Sequence, residues 1–240
     1  MGRMKRKSES ELIRTELCSA SDKEKARILA RFFKTGPGEY GEGDLFLGIT
    51  VPKIRRIIKS HKNIELREVR KLLQSEFHEV RLAALLLLVE LYRCGDEMRK
   101  KEIYDFYLAS IVHINNWDLV DVTAPHIVGA QLHGRDTTTL RRLARSKNLW
   151  ERRVAILATH YFIRQGDCRE TLRIAKLLLL DTHDLIHKAV GWMLREVGKR
   201  CSVEAERKFL DQYAALMPRT MLRYAVERFS PNVKSRYLGK

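Results

Sequence analysis

Apolar residues recur at helical spacing along nearly the whole chain. From Leu12 to Leu17 and from Ala26 to Phe33 they fall at positions i, i+3, i+4 and i+7, the pattern of an amphipathic helix. The segment 78–93 is apolar over most of its length and predicts a longer helix. No stretch alternates between apolar and polar residues with period two, so we predict an all-α protein with essentially no sheet.

Breaks in the pattern locate the ends of these helices. The Gly-rich stretch 35–44 predicts a loop, and Pro52 predicts the start of the next helix, because proline is favoured in a first turn. We expect further helices over 65–74, 78–93 and 97–112, one from Trp117 past Pro125 to about Leu132, a turn at 133–136, and four or five more helices to Phe229.

A fixed period connects the later helices. Arg153, Lys188 and Arg223 follow one another at intervals of 35 residues, and stepping back by 35 and then 37 residues reaches Asp118 and Arg81. Such a period is typical of stacked two-helix repeats, which bury their apolar faces only against their neighbours. We therefore predict an α-solenoid of HEAT-like repeats, in which equivalent positions form a ladder with four basic members and one acidic member.

The repeats predict a single domain over 1–240. Within it we expect a flexible basic N-terminus at 1–10 and a short basic tail at 232–240.

The charge of the chain narrows the class of partner. With 46 Lys and Arg against 30 Asp and Glu, the net charge is +16, which favours a polyanion such as nucleic acid. Four widely spaced cysteines without metal-ligand spacing indicate reduced thiols and no metal site. No signal peptide and no membrane-spanning segment are recognisable, so we expect a cytoplasmic, nucleoid-associated protein that does not bind membranes. No apolar face is left over in the pattern, so we expect a monomer.

The segment 115–125, NNWDLVDVTAP, is the first candidate for chemistry. On a helix, Trp117 and Asp121 lie four residues apart and share a face. Asn115 or Asn116 can cap this helix, and Asp118 in its first turn has a structural explanation in the helix dipole. Asp121 gains less from the dipole, and its alternatives are a surface acid, a partner for one of the many arginines, or a functional carboxylate.

A second candidate is the stripe formed by Lys188, Trp192, Arg195 and Lys199. A tryptophan within a basic stripe predicts contact with phosphates, sugars or bases, although packing against the neighbouring repeat is an alternative. Gly191 lowers helix stability, which indicates close packing at that point.

In the segment 149–166, Arg153 suits a bidentate phosphate contact and Trp150 suits the core. The eight histidines have no metal-binding or catalytic spacing, so we expect them to be structural or surface residues.

The segments LFLGITVPKIR, NNWDLVD, LWERRVAIL and KAVGWMLRE, in this order and at this spacing, resemble the AlkD-like DNA alkylation-repair glycosylases. The resemblance covers about residues 25–230. It implies HEAT-like repeats around a concave cationic groove that binds duplex DNA. It also implies excision of cationic N3- and N7-alkylpurines, such as 3-methyladenine and 7-methylguanine, without a cofactor or metal.

Matched by motif, the resemblance assigns roles to individual residues. Asp121 becomes the catalytic carboxylate, Trp117 and Trp192 the aromatic pair beside the deoxyribose, and Arg153 the clamp on the DNA backbone. The resemblance also places Arg55 and Arg195 at positions that contact the DNA backbone. The ladder and the basic stripe add Lys188 and Arg223 as further DNA-binding candidates. Asn116 stands where the best-known form of the motif has another tryptophan, which removes one aromatic contact.

Two other classes of function fit parts of the sequence. A non-catalytic HEAT-repeat protein that recognises damaged or branched DNA explains the charge and the period, but not an acid and a tryptophan among basic positions. A protein-binding scaffold predicts an apolar or acidic binding face, which the recurring Arg and Lys residues disfavour.

Overall fold

Every regular element described in the structure, a computed structural model, is a helix. Residues 7–239 are described, and within that range a single isolated bridge between Leu45 and Phe77 is the only β pairing. The predicted all-α fold class is therefore confirmed.

Contacts divide the described residues into two compact units, the first ending at Leu119 and the second beginning at Val120. The first unit contains α1 (Glu9–Ser19), α2 (Lys23–Phe32), α3 (Val51–Ile58), α4 (Leu66–Leu73), α5 (His78–Cys94) and α6 (Glu97–Ala109). The boundary falls within α7 (Trp117–Asp121). After a π-helical turn (Pro125–Gly129), the second unit contains α8 (Ala130–Leu132), α9 (Thr138–Ala144), α10 (Leu149–Arg164), α11 (Arg169–Leu177), α12 (Asp184–Arg200), α13 (Val203–Tyr213), α14 (Arg219–Ala225) and α15 (Pro231–Leu238).

The first unit is built around α5. Helices α1, α3, α4 and α6 pack against it, and the apolar run Leu82–Leu88 is buried throughout. Each fully buried leucine in such a run contributes about 1.5–3 kcal/mol through removal of apolar surface from water. The run of small and aliphatic side chains thus explains why α5 is the central helix of this unit.

A buried carboxylate anchors the long connection between α2 and α3. Glu79 accepts hydrogen bonds from the backbone N–H groups of Leu47, Gly48 and Ile49, at 2.9, 2.7 and 3.1 Å. Gly48 has φ of +79° and a Cβ there would lie 2.1 Å from the carbonyl oxygen of Asp22, so only glycine fits. This anchoring fixes the end of the Gly-rich loop, where Asp44 lies.

In chain order the helices of the second unit alternate between a first and a second helix: α9 packs on α10, α11 packs on α12, and α13, which precedes α14, packs on α12. The second helices also pack on each other, α10 against α12 and α12 against α14. At the second of these contacts, a Cβ on Gly191 would lie 2.3 Å from the carbonyl oxygen of Met221. The close packing predicted at Gly191 is confirmed, and the repeated pairs are those of an α-solenoid.

Several boundaries differ from the sequence-based prediction. The helix expected from Trp117 to about Leu132 is divided, because Pro125 has no N–H to donate and a π-helical turn begins there. Between 137 and Phe229 six α-helices occur, α9 to α14, where four or five were predicted. The predicted basic tail is largely helical, as α15.

The predicted flexible N-terminus at 1–10 lies mainly outside the described residues. Its described part contains the start of α1, where Ser8 and Glu11 form a reciprocal cap. The single domain over 1–240 stays a prediction.

Candidate functional site

Three of the residues that repeat at the 35-residue period occupy the same place in their helices. Arg153, Lys188 and Arg223 are each the fifth residue of α10, α12 and α14, and Arg81 is the fourth residue of α5. In α7 the fifth residue is Asp121, while Asp118 is the second. The period therefore reflects equivalent early positions in α10, α12 and α14, whereas its acidic member, Asp118, lies three residues before the equivalent position of α7, which Asp121 occupies.

In the second unit, Asp121 and Arg153 form a bidentate ion pair. Nε and Nη2 of Arg153 donate to the two carboxylate oxygens of Asp121, both at 2.8 Å. Nη1 of Arg153 donates to the carbonyl oxygen of Leu185 at 2.6 Å, and Arg153 is only 4% exposed. Both side chains are consequently held in one orientation, and of the alternatives for Asp121 the arginine partner is the one observed.

Trp192 lies on the next helix of the same unit, α12. It is half-buried, and its ring centroid lies 5.9 Å from that of His160 on α10. Burial and the neighbouring cations outweigh Glu196 and lower the pKa of His160, so the ring beside Trp192 is neutral at pH 7. Arg153 and His160 are seven residues apart, about 10 Å along α10, so Asp121 and Trp192 contact the same helix roughly two turns apart.

In the first unit, Trp117 belongs to an aromatic cluster. Its ring stacks on Phe33 with a centroid distance of 5.3 Å and meets the edge of Phe32 at 5.9 Å. Phe33 in turn stacks on Phe46 and lies 4.9 Å from the ring of His78. Trp117 itself is half-buried, so part of its indole surface is exposed while the cluster fixes the ring.

A buried polar network lies beneath this cluster. His78 Nε2 is 2.9 Å from Asp118 Oδ2, and Asp44 accepts from Arg81 Nη2 at 2.7 Å. Burial opposes protonation of His78, but the carboxylates of Asp118 and Asp44 outweigh it and raise its pKa to about 9. Burial also raises the pKa of Asp44, yet His78, Arg81 and Asn115 more than reverse this and leave that pKa below its usual value. For Asp118 the sequence predicted a structural role near the helix dipole, and in the structure its carboxylate contacts His78.

The predicted DNA-binding cations fall into two groups. Arg195 pairs with Glu227 and lies 3.7 Å from Glu196, and Lys188 pairs with Asp184 at 2.6 Å. Arg55 and Arg223 are exposed and form no ion pair with any residue that the structure describes. Arg55 also lines a cavity of about 210 Å³ together with Lys59, Lys62 and Glu90.

Arg81, a member of the ladder, and Trp150, in the segment 149–166, are both buried. Arg81 is 5% exposed and serves the Asp44 network, which differs from the surface position that the ladder predicted. Trp150 is buried, as predicted.

Sequence reasoning missed Asp44 and the aromatic residues Phe33 and Phe46. Their signals were weak: Asp44 ends a glycine-rich loop, and the phenylalanines are separated by that loop. The i, i+3 spacing of His78 and Arg81 places both on one helical face, but it does not reveal their shared partner, which lies 34 residues before His78.

Metal-binding and membrane-spanning features are absent from residues 7–239. No group of three or more His, Cys, Asp or Glu side chains there is arranged to hold a metal ion. No helix in that range combines the length and apolarity needed to cross a bilayer.

The fold is that of a helical-repeat protein, and its second unit contains the fixed carboxylate–guanidinium pair of Asp121 and Arg153. The family model of the DNA alkylation repair enzymes matches residues 13–229, and the chain belongs to that family.

A solved structure from Enterococcus faecalis, described as a predicted DNA alkylation repair enzyme, is similar in fold. Its TM-score is 0.69 at 16% identity, and the match covers 88% of this chain and 97% of the other. None of the curated protein sequences matches the chain.

Proposed function

We propose that this chain is a monofunctional DNA glycosylase that hydrolyses the N-glycosidic bond of cationic N3- and N7-alkylpurines in duplex DNA. The observation that carries the proposal is the Asp121–Arg153 pair, a carboxylate held in a fixed orientation within a strongly basic chain. Membership of the DNA alkylation repair enzyme family supports it.

The chemistry explains why no general acid is required. An N3- or N7-alkylpurine carries a positive charge, so when the bond from C1′ to the base nitrogen breaks, the base takes both electrons and leaves neutral. Positive charge develops on the deoxyribose, and a water molecule adds at C1′ and loses a proton. The protein therefore has to stabilise a cation and orient a water molecule.

Asp121 is the proposed stabilising group. A carboxylate about 4 Å from a unit positive charge contributes about 4 kcal/mol at an effective dielectric near 20, which is about a thousandfold in rate. The two bonds from Arg153 occupy one lone pair on each oxygen of Asp121. Held in this orientation, the carboxylate is the proposed counter-charge to the sugar cation and the proposed acceptor for the attacking water.

Trp117 and Trp192 are the proposed aromatic contacts to the sugar. Each is half-buried, so each combines a fixed ring with exposed surface. An indole face next to a cation adds about 0.5–2 kcal/mol. A neutral His160 beside Trp192 adds no competing positive charge at that ring.

The structure changes the role that we propose for Arg153 from a clamp on the DNA backbone to a residue that orients Asp121. All three of its donor-bearing nitrogens, Nε, Nη1 and Nη2, are engaged by Asp121 and Leu185, so its proposed task is to orient the carboxylate. Contacts to the DNA backbone are assigned instead to the exposed cations Arg55 and Arg223, with Lys188 and Arg195 contributing if they exchange their carboxylate partners for phosphates.

A non-catalytic DNA-binding protein is the second candidate. Its support is the exposed cations Arg55 and Arg223, and a carboxylate matched with a guanidinium is also a common structural arrangement. Both candidates require DNA binding, and only the first requires release of a base.

Release of free bases from DNA tests the proposal. Methylated duplex DNA incubated with the protein should lose 7-methylguanine and 3-methyladenine. Duplexes that contain uracil or ethenoadenine should be poor substrates, because those bases are neutral and leave readily only after protonation. Absence of methylpurine release, with DNA binding intact, would instead support the non-catalytic candidate.

A further inference from the structure

Asp44 joins the segment before α7 to the centre of the first unit. Its Oδ1 accepts from Arg81 Nη2 at 2.7 Å and from Asn115 Nδ2 at 2.9 Å. Its Oδ2 accepts from Asn116 Nδ2 at 3.4 Å and lies 3.5 Å from His78 Nδ1. One carboxylate thus contacts two cations of α5 and two consecutive asparagines.

Burial makes these partners hard to replace. Asn116 is completely buried, and Asp44 is 6% exposed, so bulk water does not substitute for a missing partner. A buried carboxylate with cationic and amide donors is costly to leave unmatched, which holds the donors in place as firmly as it holds Asp44.

Asn116 transmits this constraint to Trp117. While its Nδ2 donates to Asp44, its Oδ1 accepts from the backbone N–H of Trp117 at 2.8 Å. The Trp117 ring is fixed at its other end by stacking on Phe33. Position 116 therefore does not face a ligand; its amide is the link between the loop carboxylate and the first residue of α7.

We propose that Asp44 is a positioning residue for Trp117. The loop carboxylate, acting through Asn116, sets where α7 begins and hence how the exposed part of the Trp117 indole is presented. This inference rests on the proposed function for its catalytic consequence, but the orientation of Trp117 is measurable without it. It also explains why an asparagine is present at position 116, where the best-known form of the motif has a tryptophan. The amide of Asn116 both accepts from Trp117 and donates to Asp44. An indole has a donor but no acceptor.

Three variants test the link through excision. Asp44→Asn removes the charge at constant size, Asn116→Ala removes the intermediate amide alone, and Asp96→Asn is the control. Asp96 is a cap of α6 in the same unit and is bonded to the N–H of Arg99, outside the network. Single-turnover excision should fall about 100-fold in Asp44→Asn and in Asn116→Ala, because a misplacement of about 1 Å has that effect.

Two readouts separate positioning from a general structural effect. DNA affinity should stay within about twofold of wild type, since neither residue is placed to bind phosphate. The double variant should be no slower than the slower single variant, because both changes break one pathway. Wild-type excision by Asn116→Ala, or rate effects that multiply in the double variant, would overturn the inference.

A spectroscopic measurement tests the orientation of Trp117 directly, without relying on excision or on the Asp44→Asn variant. In a Trp150→Phe, Trp192→Phe background, Trp117 is the sole indole of the chain. Asn116→Ala should shift its fluorescence maximum and its near-ultraviolet circular dichroism, and Asp96→Asn should not. This measurement stays decisive if Asp44→Asn fails to fold, and also if the wild type releases no base. An unchanged Trp117 spectrum in folded Asn116→Ala contradicts the inference in either case.

Discussion

Asp121 shows how one residue acquires its properties from its partner. Sequence alone left it as a surface acid, an arginine partner or a functional carboxylate, and Arg153 as a phosphate clamp. The structure shows that Asp121 and Arg153 are each other's partners, because two nitrogens on one edge of the guanidinium donate to the two oxygens of the carboxylate. A pairing across 32 residues depends on how α7 and α10 pack, which residue spacing does not encode.

Arg153→Lys tests the orienting role. An ammonium cannot form two parallel bonds with Asp121 and also reach the carbonyl of Leu185, so the carboxylate loses its fixed orientation while the charge is kept. We expect single-turnover excision to fall by roughly 10- to 100-fold with DNA affinity within about twofold of wild type. A parallel loss of affinity and rate would instead return Arg153 to the role of phosphate clamp.

His78 predicts a pH dependence of stability. Its pKa is raised from 6.5 to about 9 in the folded chain, so its contribution is fully present below pH 6.5 and is lost as pH rises through 9. The shift corresponds to about 3 kcal/mol of unfolding free energy. Urea unfolding between pH 6.5 and 9.5 should show a loss of this order for wild type.

The matched comparison uses His78→Gln and the same change at the exposed His126. The loss of stability across the alkaline range should be smaller in His78→Gln and unchanged in His126→Gln. If the unfolding free energy of all three proteins fell equally with pH, His78 would not keep its proton in the folded state at alkaline pH.

At the scale of elements, apolar periodicity predicted helices accurately where one face is buried by a regular pattern. The prediction for 65–74 agrees with α4, and that for 78–93 agrees with α5. It was wrong where local chemistry interrupts the pattern, as at Pro125, and where polar residues form a helix, as in α15. Periodicity reports a buried stripe and carries little information about breaks or about helices with no buried residue.

The packing of α13 on α12 contains an unpaired acid. Glu206 is buried, its Oε1 has no hydrogen-bond partner among the described residues, and its carboxyl lies against Gly198. Burial raises its pKa to about 8, although Arg207 and Arg195 oppose the shift. Because the folded pKa exceeds the usual value of 4.5, this group lowers stability progressively as pH rises from 4.5 to 8.

Glu206→Gln should therefore stabilise the protein at alkaline pH. The amide has the same size and no charge to desolvate, so the gain in unfolding free energy should grow between about pH 5 and pH 8 and reach roughly 2–4 kcal/mol. Glu204→Gln, at an exposed position of the same helix, is the control. A Glu206→Gln variant less stable than wild type at alkaline pH would mean that the acid has an ionic partner in the folded state.

At the scale of the whole molecule, the sequence revealed the excess charge of +16 but not where that charge lies. Arg81 and Arg153 belong to buried ion pairs, while Arg55 and Arg223 are exposed. The 35-residue period identified equivalent helical positions. It could not distinguish a cation neutralised by a buried acid from one that faces solvent, because that depends on side chains distant in sequence.

The salt dependence of DNA binding tests whether the exposed arginines are the ones that contact phosphates. Arg55→Ala and Arg223→Ala should each weaken binding and reduce the slope of log K against log salt by about 0.9 for each phosphate that the arginine neutralises. Arg173→Ala is the control, since that exposed arginine already pairs with Glu170 at 2.7 Å. Unchanged slopes in both test variants would place the DNA on other cations.

The central claim is that Asp121 stabilises the sugar cation of an alkylated nucleotide. The most direct measurement is release of 7-methylguanine and 3-methyladenine from methylated duplex DNA by wild type and Asp121→Asn, with DNA affinity measured for both. Asparagine keeps the size of the side chain and one acceptor for Arg153, and removes the charge. We predict release by wild type, a loss of about a thousandfold in Asp121→Asn, and similar affinities. Release at equal rates by both proteins would contradict the claim.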